Sequence, residues 1–127
     1  MKLTKINSNQ APSADGGYSQ AVLTQGMTNN LFISGQIPET KDGDTPSDFE
    51  SQCRLVWANI VAQLKAAEMD VANLVKVTIF LSSREYADLS SRVRQEFLGN
   101  NCPALTVIIT GIFDKKWLLE IDAIAAS

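Results

Sequence analysis

The chain has 127 residues, 45% hydrophobic and 20% charged, with a formal net charge of −3. That fits one globular domain, residues 1–127, with a genuine core, and the acidic balance argues against a nucleic-acid partner. Histidine is absent, which excludes Ser-His-Asp and Cys-His catalysis and histidine-ligated zinc.

Acid–base chemistry must then fall to carboxylates, lysine, tyrosine, cysteine or water. Lys2–Ile6 suits a short first strand. The N-terminal stretch has no apolar h-region, and no apolar run in the chain is long enough to cross a bilayer. The cytoplasm is therefore the expected compartment, with no membrane partner. Residues 7–17 read as a loop closed by Gly16-Gly17, where a turn is favoured over an anion-binding motif because no G-x-G-x-x-G pattern is present. Residues 18–24 and 31–36 read as strands joined in a hairpin through residues 26–30. Gly35 suggests a bulge or a close backbone approach at the end of the second strand.

A polar loop follows, and then a helix start. Pro46 suits the first helical position behind a Thr45 cap, and Ser47-x-x-Glu50 offers an alternative capping box. Phe49, Cys53, Val56, Trp57, Ile60, Leu64 and Ala67 recur at helical spacing, so the helix should run to about Met69-Asp70 with Trp57 in the core. Cys53 and Cys102 have no metal-ligand spacing and read as two reduced thiols. Leu74–Leu81 is a strand with Val75, Val77, Ile79 and Leu81 on one face. Ser82-x-x-Glu85 precedes a second helix with the stripe Tyr86, Leu89, Val93 and Phe97, which Gly99 can stop.

Two further strands, residues 105–112 and 117–125, flank the polar turn Asp114-Lys115-Lys116. In the first, Leu105, Val107 and Ile109 share one face. In the second, Leu119, Ile121, Ala123 and Ala125 line one face, while Glu120 and Asp122 point the other way with Leu118 and Ile124. A carboxylate among apolar neighbours is costly unless paired, solvated or used, which makes Glu120 the first candidate for function. The order β-ββ-α-β-α-ββ predicts a two-layer α+β sandwich, two helices on one face of a mixed sheet of about six strands. The face carrying Leu105, Val107 and Ile109 then needs a cover, and a second copy of the chain would supply it.

Several stretches together resemble one family. Ala11-Pro12 with residues 16–22, GGYSQAV, is similar to the A-P…G-P-Y-S-Q-A-V opening of the reactive-intermediate deaminase (Rid) family, also called endoribonuclease L-PSP. Residues 34–38, SGQIP, the strand LVKVTIFL, Pro103-Ala104 and residues 120–125, EIDAIA, match further family motifs in order. The resemblance implies a chorismate-mutase-like α+β fold and a homotrimer with clefts between subunits; a small-molecule ligand is expected, with no cofactor and no metal. By the same resemblance Tyr18 flanks the ligand, Gly35 offers backbone contacts and Glu120 positions a water. The arginine that binds a substrate carboxylate in the family's imine hydrolases corresponds to Leu105, and its helical asparagine to Ser90. Gly17 stands for the proline of G-P-Y-S, a change expected to be minor.

Two functions compete. One is a deaminase-like hydrolase with Glu120 holding water, and with Leu105 and Val107 favouring a more apolar substrate than the usual carboxylate-bearing imine. Against that role for Glu120 stands a pairing with Lys115, Lys116 or Arg94 that only holds the interface. The other function is a ligand-binding or regulatory module that keeps the cleft without chemistry. Imine deamination as in arginine-bearing relatives ranks below both, because no cation neighbours Leu105 in sequence. Trp117 and Phe80 could line a pocket, although aromatic residues on strands more often serve core or interface. A ribonuclease is not supported: there is no histidine pair and no basic stripe interleaved with aromatics.

Overall fold

A computed structural model describes residues 2–127. Six strands and two α-helices form: β1 (Lys2–Ile6), β2 (Ala21–Gln25), β3 (Asn30–Gln36), α1 (Phe49–Ala66), β4 (Leu74–Leu81), α2 (Ala87–Leu98), β5 (Ala104–Ile109) and β6 (Leu119–Ala126). The α+β class, the element order and the two helices are as expected. The pairing is not. β2 pairs antiparallel with β1, and β3 pairs with β6, so residues 18–36 make no hairpin. The strands divide into a β1-β2 ribbon and a four-stranded sheet in the order β3-β6-β4-β5. One bridge, Ser19 with Ala104, joins the β2 side to β5. Ser19 fixes it with its hydroxyl on the Cys102 carbonyl at 2.6 Å and its amide on the Pro103 carbonyl at 3.1 Å.

The helices cover one face of the sheet. Phe49, Cys53, Val56, Trp57, Ile60 and Leu64 of α1 are buried against Val77, Ile79 and Leu81 of β4 and Leu119, Ile121, Ala123 and Ala125 of β6. Both sets have the periods read from the sequence, 3.6 on the helix and 2 on the strands. On β4 the phase slips at its start: Leu74 is buried and Val75 only half-buried, because the pairing with β6 is irregular between Leu74 and Lys76. Burial pushes the Cys53 thiol up to about 12, so it is a core residue rather than a nucleophile.

The cap of α1 differs from both expected versions. Asp48 accepts from the Ser51 amide at 2.9 Å, and a carboxylate there also meets the helix dipole favourably. The helix ends at Ala66, short of residues 69–70, where Glu68 takes a φ of 59°. Ser83, not Ser82, caps the short turn Arg84–Tyr86 that leads into α2. Gly99 stops α2 as expected, with a φ of 57°.

Gln52 is a buried polar residue of α1 that the helical pattern does not reveal. Its side-chain amide donates to the carbonyls of Pro46 and Lys116 at 2.8 and 2.9 Å, and its oxygen accepts from the Leu118 amide at 2.8 Å. It thereby anchors the loop before α1 to the entry of β6. Gln52→Leu would leave three backbone groups without these partners and should destabilise the fold by about 3 kcal/mol, given roughly 1–3 kcal/mol per buried orphan. A denaturant midpoint within error of the wild type would contradict this.

Candidate functional site

The sheet divides the expected site residues. Leu105 and Val107 of β5 lie in parallel register with Val77 and Ile79, on the helix side. Leu105, Val107 and Ile109 are therefore not on the bare face of the sheet, as the sequence suggested. Val107 nevertheless stays 45% exposed, because it lies at the sheet edge. Glu120 lies in register with Phe80, on the opposite face. That face carries no helix and also presents Phe32, 74% exposed, together with Lys76, Thr78, Ile108, Asp122 and Ile124.

On the helix side, Tyr18, Ser90, Leu105 and Val107 line one cavity of about 260 Å³. Four of the expected ligand-binding residues thus converge. Ser90 is itself buried, with its hydroxyl beside the Cys53 thiol. The turn at Gly16-Gly17 shapes one wall, with φ of 114° and 77°. Proline is locked near −65°, so it could not take the backbone conformation that Gly17 has here.

The same cavity holds Arg94, which the sequence reading placed only as a possible partner of Glu120. It lies across the sheet from Glu120. Arg94 is 4% exposed and donates through Nη2 to the Gly16 carbonyl and, at 3.3 Å, to the Ser91 hydroxyl. Burial lowers its pKa, and a guanidinium remains charged all the same. The signal for it was present: Arg94 is four residues after Ser90 and next to Val93, on the inner side of α2.

On the other face, Glu120 packs on Gly35. A Cβ built at Gly35 would fall 1.9 Å from Oε2 and 2.7 Å from Cδ of Glu120. Gly35 is thus present for close approach, and the β3 pairing irregularity between Ile33 and Gln36 accompanies it, as the sequence indicated. Among the described residues the ion pairs are Arg54 with Glu50 and with Glu96, so Glu120 pairs with none of Lys115, Lys116 or Arg94. Trp117 joins neither group; it is half-buried in the turn before β6, its amide on the Asp114 carbonyl. No group of histidine, cysteine and carboxylate side chains suited to a metal occurs among the described residues.

Residues 8–127 match the family described as endoribonuclease L-PSP. The chain belongs to the endoribonuclease L-PSP, or Rid, family. It is 36% identical over 122 residues to a RutC family protein of Pyrococcus horikoshii, covering 94% of each chain. It is 32% identical over 124 residues to the 2-iminobutanoate/2-iminopropanoate deaminase of Escherichia coli K12, again covering 94% of each. A Rid-family crystal structure from Yersinia pestis, of a protein of unknown function, superposes with a TM-score of 0.85 over all of both chains at 25% identity. This Rid chain carries Tyr18, Gly35 and Glu120, with Leu105 on β5.

Proposed function

We propose that this Rid protein hydrolyses a small imine or enamine in a cleft between subunits of a homotrimer. One subunit contributes the Tyr18–Leu105 cavity, and its neighbour brings Gly35 and Glu120. The observation that carries this reading is the division of the site residues between two faces of one sheet. In a single chain Glu120 cannot reach the cavity lined by Tyr18, whereas a head-to-tail ring would bring the bare face of one subunit against the β5 edge of the next. Exposed Phe32, Val107, Ile108, Ile109 and Phe113 supply apolar surface for that contact. Similarity to an imine deaminase supplies the reaction class.

In the reaction, Glu120 accepts a proton from water as its oxygen adds to the imine carbon. Glu120 passes that proton to nitrogen, the proton of the new hydroxyl then moves to nitrogen as the C–N bond breaks, and ammonia and a carbonyl compound leave. Leu105 and Val107 wall the alkyl side of the substrate. The test is the lifetime of an imine released by an amino-acid oxidase, with and without the protein, beside light scattering at micromolar concentration. Accelerated decay by a trimer is expected; a monomer, or an unchanged lifetime, would refute the proposal.

A further inference from the structure

The geometry points to Arg94 as the residue that binds an anionic group of the ligand, so that a carboxylate enters the Tyr18 cavity towards α2 rather than towards β5. This rests on the reading of that cavity as the ligand-binding half of the site.

Position 105 offers only an alkyl chain, but the cavity has not lost its cation. Arg94 lines it and is almost wholly buried. A buried guanidinium without a carboxylate is an expensive arrangement. Both ion pairs among the described residues use Arg54, and Arg94 has none. Its two bonds leave from Nη2, which explains how the Gly16-Gly17 turn is held. They do not explain Nε, which is buried with no hydrogen-bond partner. A planar oxyanion suits the donors of such a fork. The exposed Asp15, at the cavity wall, forms no ion pair with Arg94 and accepts instead from the Ser13 hydroxyl. Leu105 and Val107 fit a short alkyl chain next to the anion. An arginine at position 105 would add a second cation to the same cavity. No cation neighbours Leu105 along the chain, but the fold brings Arg94 of α2 into the same cavity.

Hydrolysis of a 2-imino acid yields a 2-oxo acid, so 2-oxobutanoate and its neutral amide are suitable unreactive probes. Their affinities for the assembled protein are compared by calorimetry. The wild type should bind the acid about tenfold or more tightly than the amide, as loss of a desolvated charged contact implies. Arg94→Gln should abolish the preference, and Arg94→Lys, which keeps the charge without the fork, should fall between. Equal affinities in the wild type, no binding of the acid, or a preference that survives in Arg94→Gln would each overturn the inference. The wild-type comparison stands even if Arg94→Gln does not fold. Imine turnover without an acid preference removes this inference alone; an acid preference without turnover removes the hydrolytic reading alone.

Discussion

Glu120→Gln should lower imine turnover by about 10²–10⁴-fold, the usual contribution of a positioned general acid–base group. The substitution keeps the shape of the side chain where it lies on Gly35, so the sheet and the assembly should not change. Binding of an unreactive 2-oxo acid should also persist, because in the proposed cleft the anion and alkyl contacts come from the neighbouring subunit's cavity, which Glu120 does not line. The loss should therefore fall on kcat rather than KM. Glutamine can hydrogen-bond a water but cannot accept its proton. Near-wild-type kcat in Glu120→Gln would mean that Glu120 is a structural neighbour of Gly35 and no more.

Gly35→Ala should be nearly as damaging, for a geometric reason. The new methyl would occupy the space of the Glu120 carboxylate. A glutamate side chain can swing aside, so the fold should survive, but the carboxylate would be displaced by more than an ångström. Misplacement on that scale costs about 10²-fold in rate. The expected result is a soluble oligomer with a wild-type denaturation midpoint and little turnover. A variant that loses stability instead would place the role of Gly35 in the fold; one that keeps its full rate would separate Glu120 from the chemistry.

The elements that position the site were largely legible because they are periodic. The α1 stripe and the alternation in β4 and β6 follow from side-chain geometry alone, and they place Glu120 opposite the core. Pairing was less legible. The loop at residues 26–30 looks like a hairpin connection, yet β3 crosses to β6 at the other end of the chain, and no local signal marks that long-range choice. Capping was ambiguous because Thr45, Ser47 and Asp48 can all cap a helix; Asp48 does so, while Gln52 holds the Pro46 carbonyl. Arg94 was missed for a related reason. Charged residues on helices normally face solvent, and only the approach of the Gly16-Gly17 turn and β5 makes this one a buried wall of the cavity.

The most direct test of a site shared between subunits is complementation. Glu120→Gln carries an intact cavity and a defective carboxylate; Arg94→Gln carries the reverse. Each alone should be nearly inactive. Unfolded and refolded together into mixed rings, they should recover activity, because about a quarter of randomly assembled clefts would join an intact cavity to an intact Glu120. Activity that returns only on mixing is the predicted result. A mixture no more active than its components, from rings shown to exchange subunits, would contradict a site built across the interface.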